Sequence, residues 1–415
     1  METALRRGAL AAGAGILEDL LSGLGQSVEG VVECSCGARM QSKGIRTKKL
    51  LTILGEVNFS RRRYECPVCG ASRYPGDEEL DVVGTGRSPG LRRMMARAGS
   101  KETFKEGSED LRIYAGIQVS AKDVERVAEK IGREVEGWQA GERALALAGG
   151  VESAAGDSVP VMYIAYDGTG VPMVPWEVAG RKGKQADGSA KTREAKLGCV
   201  FSQTATDGEG FPIRDLDSTS FVGAIEGAEK FGERIYAEAS RRGLSQAQKV
   251  VVLGDGARWV RGLAELHFYG ATQIIDLYHA REHIGKLCQL LFAGDEKKIR
   301  AFRMRWWTLL DEGKVERIVA QARSQLSGAG ANQEQIEIEL GYFEENRERM
   351  RYQRFREEGL FVGSGVVEAG CKSVIGQRLK RSGMEWSVSG ANAIISLRCL
   401  LLSGRFEEYW ESRCA

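Results

Sequence analysis

KVVVLGDGARW, residues 249–259, decides the reading of this chain. Four apolar residues in a row, 250–253, make a short strand buried on both faces, as strands are inside an α/β sheet. The run stops at Asp255, which Gly256 follows. The next stretch, RWVRGLAELHFYG (258–270), carries apolar residues at helical spacing. A strand, an Asp-Gly and a helix place a carboxylate where α/β sheets carry their sites, at the edge of the sheet. The glycine lets a ligand approach the backbone closely.

Working outward, the same pattern recurs. VPVMYIAYDGTG (159–170) is a strand run ending at Asp167, again followed by Gly. KLGCVFSQTATDGEG (196–210) and FPIRDLDSTSFV (211–222) supply a second and a third strand, and 221–242 reads as helix. TQIIDLYHA (272–280) is a further strand, ending at Asp276. The order β-β-β-α-β-α-β-α predicts a mixed α/β sheet. Helical patterns then run to LFVGSGVVEAGCKSVIGQRLKRSG (360–383), where Glu368 lies about one turn into a helix opened by GSG.

An isolated Asp-Gly is normally a strand-end turn. Two at apolar strand ends in this order, with Glu368, point to a carboxylate cluster. Such a cluster repels itself unless a cation holds it, and hard oxygen ligands suit Mg²⁺ or Mn²⁺. Three carboxylates with two metals form an apparatus for in-line attack on a phosphodiester. Lys372, four residues after Glu368, and Arg378, Lys380 and Arg381 beyond it are the cations a polyanionic substrate needs.

The N-terminal third has a different character. Residues 3–24 read as one helix, and 33–70 hold four of the nine cysteines: Cys34 and Cys36, then 29 residues, then Cys66 and Cys69. Each pair precedes a glycine, and LLTILGEVNFSRRRYE (50–65) between them reads as a β-hairpin. Two knuckles bridged by a hairpin make a zinc ribbon, and four thiolates suit tetrahedral Zn²⁺. Residues 39–63 carry eight Lys/Arg against one acid, and 82–100 carry four Arg and no acid. Residues 76–90 and 146–158 read as linkers. The helices of 90–140, the last opened by Ser120 and Asp123, resemble a helix-turn-helix as much as a plain bundle. The net charge of +2 announces no polyanion by itself, and an odd cysteine count without a signal peptide fits a reducing compartment. No apolar run reaches the ~20 residues of a membrane span.

YDGTGVPM, VVLGDGARWV, DLYHARE and, most specifically, VGSGVVEAGCKSVIGQRLKRSGMEWS (362–387) resemble the DDE transposases of bacterial insertion sequences. The pattern is close to that of the ISKra-type group, related to Mutator-like elements, and the resemblance covers nearly the whole chain. The C-x-C of the first knuckle is tighter than the usual spacing. The resemblance implies an RNase H-like catalytic core with Asp167, Asp255 and Glu368 as its catalytic triad. It also implies Asp276-x-x-His279 as a second signature, with the imidazole, oriented by Asp276, on the scissile phosphate or a flipped base; a metal ligand and a structural ring that caps the helix are the competing roles of His279. An all-α insertion would occupy 285–350.

The implied organisation is an N-terminal helix (1–30), a zinc-ribbon-like domain (31–80), a helical DNA-binding region (81–150), the first part of the core (151–284), the insertion, and the Glu-bearing remainder (351–415). In that frame Arg61, Arg62, Arg63, Arg92 and Arg93 contact phosphates. The expected partners are transposon ends and target DNA, bound by a homo-oligomer in the bacterial cytoplasm, at the nucleoid. A nuclease or resolvase with the same carboxylates, and a catalytically idle DNA-binding protein, are the competing readings.

Overall fold

The computed structural model describes residues 1–26, 31–150, 159–183, 185–326 and 332–413. The expected linker at 146–158 lies mostly outside them, as does Cys414. The chain packs as two compact units, Met1–Ile131 and Gly132–Ala415.

The first unit opens with α1 (Glu2–Gln26). Ala14, Leu17 and Leu21 lie on a small core of Leu50, Val57, Phe59 and Val82. Two side chains of α1 hold strand backbone: Glu18 accepts from Asn58 N–H (2.9 Å) and Ser22 from Ser60 N–H (3.1 Å). The hairpin β1 (Gln41–Thr52) and β2 (Gly55–Glu65) pairs antiparallel from Gln41↔Glu65 to Thr52↔Gly55, and β3 (Ser72–Arg73) joins β2. β1 starts nine residues before the expected hairpin. Its first half is solvent-exposed on both faces, so it shows no apolar alternation.

The expected linker at 76–90 is structured instead. It contains α2 (Pro75–Glu79), Val82 enters the core, and Gly86 and Ser88 exchange backbone hydrogen bonds with Leu51. Then come α3 (Pro89–Lys101, capped by Ser88), α4 (Phe104–Asp110, with a Thr103/Glu106 capping box) and a π-helical turn, Leu111–Ala115. The long helix α5 (Ala121–Leu147) follows, and Ser120 caps it as expected, accepting from Asp123 N–H at 3.1 Å.

The second unit is built on a five-stranded mixed sheet. Its strands are β4 (Val159–Pro172), β5 (Thr192–Gln203), β8 (Ser220–Ala224), β9 (Ala247–Gly254) and β10 (Thr272–Ile275), in the order β10-β9-β4-β5-β8. The helix α6 (Pro175–Val178) lies between β4 and β5, and the short pair β6 (Ala205–Thr206) and β7 (Pro212–Ile213) lies between β5 and β8. β9 runs parallel to β4 and β10, while β5 is antiparallel to β4 and β8. With α7 (Ala228–Arg241), α8 (Arg258–His267) and α9 (Leu277–Leu291) between and after the strands, the predicted alternation is present. The one shift is that the third strand falls at 220–224, so the helix expected from 221 begins at Ala228.

The remainder is helical: α10 (Glu296–Asp311), α11 (Val315–Arg323), α12 (Gln333–Asn346), α13 (Tyr352–Glu357), α14 (Gly365–Gly370), a π-helical turn at Cys371–Gly376, α15 (Gln377–Leu379), α16 (Val388–Leu402) and α17 (Phe406–Ser412). One sheet face, with Tyr163, Ala165, Val251, Leu253 and Ile274, packs on α9 to α13 and α14. The opposite face, with Ile164, Tyr166 and Val252, packs on α7 and α8.

Candidate functional site

Strand register brings the three aspartates together. Ala165 pairs with Leu253, and Leu253 with Ile274. Asp167, Asp255 and Asp276 each lie two residues further along β4, β9 and β10. Side chains alternate with a period of two, so these residues stand level on adjacent strands, on the face that buries Ala165, Leu253 and Ile274. Asp255 and Asp276 follow the last residues of their strands. Asp167 does not end its strand: β4 runs on to Pro172, and the aspartate emerges because β9 stops pairing at Ala165.

Glu368 arrives on α14. Asp167, Asp255, Asp276, His279, Glu282, Ser364 and Glu368, with Tyr166 and Tyr278, line one cleft of about 650 Å³. Asp167 Oδ1 accepts from Gly168 N–H (2.6 Å), and the Cys371 thiol lies 3.8 Å from Oδ2. Asp255 Oδ1 accepts from Ala257 N–H at 2.9 Å. Ser364 Oγ donates to Glu368 Oε1 at 3.3 Å. Burial first, and then the charges of Asp255 and Glu368, hold the Asp167 carboxyl above its ordinary value, against the lowering effect of Gly168 N–H. The same three carboxylates are not gathered as tightly as metal ligands are. Among the described residues the cysteine group alone has all its ligand atoms within 4.8 Å of one another.

Asp276, which lines the same cleft, is 2 % exposed, and both its oxygens hold backbone: Oδ1 accepts from His279 N–H (2.6 Å) and Oδ2 from Ser364 N–H (2.5 Å). It is the N-cap of α9 and a tie to the segment that opens α14. It does not orient the His279 ring, whose Nδ1 lies 3.7 Å from Glu282.

Sequence reasoning missed a neighbouring group. Tyr342 on α12 donates to the Asp255 carbonyl at 3.1 Å, and its ring lies so close to Gly256 that a Cβ there would stand 2.9 Å from it. That ring stacks on His283 (3.8 Å between centroids, 13° between planes), and His283 Nδ1 meets Glu339 at 2.6 Å. Gly256 has φ +87°, a conformation glycine adopts without strain. His283, one turn beyond His279, was the only available signal.

The expected phosphate contacts divide. Arg61 pairs with buried Asp77 and lies over the Tyr74 ring (3.8 Å). Arg92 is 3 % exposed and pairs with Asp81 (2.7 Å). Arg378 is fully buried, over the Trp386 ring at 5.0 Å. Arg92 and Arg378 are buried in the fold, and Arg61 keeps only part of its side chain at the surface. Arg63 bonds Glu65 and Ser72, and Arg62 donates to Ser42 Oγ at 3.5 Å. Arg93, Lys372, Lys380 and Arg381 are exposed. Four residues along an α-helix would put Lys372 on the face of Glu368, but Lys372 sits in the π turn, where four residues no longer close one turn.

In the first unit the four cysteine thiols converge. Cys34 and Cys69 sulfurs are 3.5 Å apart, and those of Cys36 and Cys66 are 3.6 Å apart. Four sulfurs at ~2.3 Å from a tetrahedral ion stand about 3.8 Å from each other, so the group could bind a metal such as zinc. Both members of the tight C-x-C take part. Gly37 (φ +83°) and Gly70 (φ +73°) close the two knuckles, donating to the Cys34 and Cys66 carbonyls. The Cys36 backbone N–H, then Cys69, pull the Cys34 thiol down to about 6.

No protein-family model matches the chain. No helix among the described residues is long and apolar enough to cross a membrane. The chain has 10% identity and a TM-score of 0.20 to the Drosophila P element transposase strand transfer complex, covering 64% of this chain and 69% of that one. It is similar to two curated proteins. One is a UPF0236 protein in the vanSb 3′ region of Streptococcus gallolyticus, 24% identical over 381 residues, 89% of this chain and 75% of the relative. The other is a UPF0236 protein of Caldanaerobacter subterraneus subsp. tengcongensis, 22% identical over 367 residues, 86% of this chain and 68% of the relative.

Proposed function

We propose that the chain is a transposase of the DDE type, which cuts DNA at the ends of a mobile element and joins them to a target. Asp167, Asp255 and Glu368 are its catalytic carboxylates. The observation that carries this reading is the level placement of aspartates on adjacent parallel strands, with Glu368 facing them across one cleft. The strand order, in which the second strand alone runs antiparallel, supports an RNase H-like core. The motif resemblance over 362–387 supports the assignment of Glu368.

The donor set fits a hard divalent cation: the ligands are oxygens, and Asp167 is raised partly by its anionic neighbours. When bound by Asp167, Asp255 and Glu368, Mg²⁺ or Mn²⁺ would lower the cost of forming the attacking oxyanion and of releasing the leaving oxygen. The chain's own groups prepare the site. Gly168 and Ala257 N–H fix one oxygen each of Asp167 and Asp255, Asp276 joins α9 to the segment before α14, and Ser364 steadies Glu368. In the first unit, Zn²⁺ held by the four cysteines would brace the ribbon, with Arg62 and Arg93 toward DNA. Binding of terminal inverted repeats is assigned to this unit.

The test is incubation of purified protein with element-end duplex and Mg²⁺, mapping products strand by strand. Asp167→Asn, Asp255→Asn and Glu368→Gln should each lower cleavage by roughly 10³-fold or more and leave duplex binding intact. Cleavage at the wild-type rate by one variant removes that residue from the site. A wild-type protein that cuts nothing with Mg²⁺ or Mn²⁺ sinks the reading, and cutting without strand transfer favours a nuclease.

A further inference from the structure

The β4–β5 ribbon outruns its sheet. β9 pairs with β4 only as far as Ala165, and β8 pairs with β5 only between Lys196 and Val200, yet β4 and β5 stay paired to Pro172↔Thr192. Beyond Asp167 the two strands therefore continue as a two-stranded ribbon, an arm that no further strand of the sheet pairs among the described residues, with Val171, Met173 and Ala195 buried at its base. Its base is fastened to the segment after α15: Val174 N–H donates to the Trp386 carbonyl (3.0 Å), Trp386 N–H to that of Pro172 (3.1 Å), and Val388 N–H to Glu177 (3.0 Å). Lys380 reaches across to Thr169.

The tip is basic. Residues 181–193 contain five Lys/Arg and one acid, Asp187, and Asp187 is used locally, accepting from Ser189 N–H (2.9 Å) and Oγ (2.7 Å). Arg193 and Lys196 are partnered by Glu177 (3.7 Å) and Glu194 (2.6 Å). Arg181, Lys182 and Lys191 are exposed and have no acidic partner among the described residues. Arg181 and Lys182 wall a recess of about 470 Å³ with Thr192, Arg193 and Lys196, and with the carboxylates Glu194 and Glu226, so four cations face two acids there. Trp176, at the arm's turn, is 73 % exposed. Spare cations beside an exposed indole are the combination that nucleic-acid surfaces use: charge for the phosphates and a flat ring for a base or sugar.

We propose that residues 173–191 are a duplex-binding arm that grips the phosphate backbone beside the Asp167 cleft through Arg181, Lys182 and Lys191. The function rests on the reading of that cleft as a DNA-cutting site. The arm holds the duplex next to the scissile phosphate, because the strand that carries Asp167 is the one that carries the arm: Lys196 stands opposite Gly168, one residue from the carboxylate. Fastening to the segment around Trp386 keeps the arm from swinging independently of β4.

The test uses the full-length protein and a fluorescein-labelled duplex of arbitrary sequence, titrated by anisotropy across a series of KCl concentrations. The triple variant Arg181→Ala/Lys182→Ala/Lys191→Ala should lower the slope of log K against log salt by about 2.7, at about 0.9 per lost phosphate contact. Arg181→Lys should keep the wild-type slope, which separates charge from loss of fold, and Trp176→Ala should weaken binding at unchanged slope. An unchanged slope in the triple variant overturns the arm, even where end cleavage is normal. A lowered slope in a protein that cuts nothing leaves the arm standing and removes the cleavage reading. Failure of the wild-type protein to bind duplex overturns both.

Discussion

Replacing Asp276 by Ala removes two hydrogen bonds at once. Its oxygens accept from His279 N–H and Ser364 N–H, and the residue is 2 % exposed, so water cannot take their place. A helix cap is worth about 1 kcal/mol, and a hydrogen bond to a charged partner about 1.5–3 kcal/mol. Losing one of each, with two N–H groups left unsatisfied, costs the local structure about 3–5 kcal/mol. At ~1.4 kcal/mol per tenfold change in an equilibrium constant, amide exchange over 277–284 and 362–369 should rise by between about 10²-fold and about 4 × 10³-fold. Asp276→Asn keeps one acceptor and turns an amide donor toward the other N–H, so it should fall between Asp276→Ala and wild type. His279→Ala should leave exchange unchanged, since the donor is the backbone of His279. Hydrogen exchange read by mass spectrometry on these peptides decides. Exchange in Asp276→Ala within tenfold of wild type would refute the capping role, and acceleration by His279→Ala would return weight to an aspartate–imidazole pair.

Three further outcomes follow from other parts of the molecule. Purified protein should carry about one zinc per chain, as a single four-thiolate site requires; Cys66→Ser should lose it and destabilise the first unit, and metal analysis showing no zinc in wild type would end that assignment. Tyr342→Phe keeps the stack on His283 but drops the bond to the Asp255 carbonyl, so cleavage should slow by about fivefold, the value of one ~1 kcal/mol hydrogen bond, with duplex binding unchanged; an equal loss of binding would place Tyr342 elsewhere in the mechanism. Glu136 is half-buried, which raises its carboxyl, but Arg234 and Arg143 more than offset this and hold it below the ordinary value. Its stabilising effect is therefore full above the unfolded-state value and fades as pH falls through the lowered one. Glu136→Gln should melt earlier than wild type at neutral pH, with the difference closing in acid, and a difference that widened in acid would reverse the sign.

The strands and their aspartates were legible because a buried strand writes its period into the sequence and its end into one polar residue. Asp255 and Asp167 were found that way. What Asp276 does was not legible, since its partners are backbone N–H groups, one of them 88 residues away. The charge runs misled for a related reason. Arg61 is neutralised by Asp77, which lies in a stretch that reads as linker, and Arg378 is swallowed by the packing around Trp386. Composition counts cations, but which of them remain spare depends on partners set by the fold. The Tyr342–His283–Glu339 group joins α9 to α12, more than fifty residues apart, and no local pattern announces it.

The π-helical turn at Cys371–Gly376 holds one residue more than ordinary α-helix would over nearly the same angle and rise. An in-frame loss of one codon there would let the turn relax into α-helix and leave what lies beyond it almost in place, with Lys380 on Thr169 and Trp386 against Pro172 and Val174. The α-helical residues between Glu368 and the turn have no such reserve. Loss of one of them would turn everything beyond by about 100° and draw it back by about 1.5 Å relative to Glu368. The turn is thus the one place between Glu368 and Trp386 where the chain tolerates a change of count as well as a change of spelling.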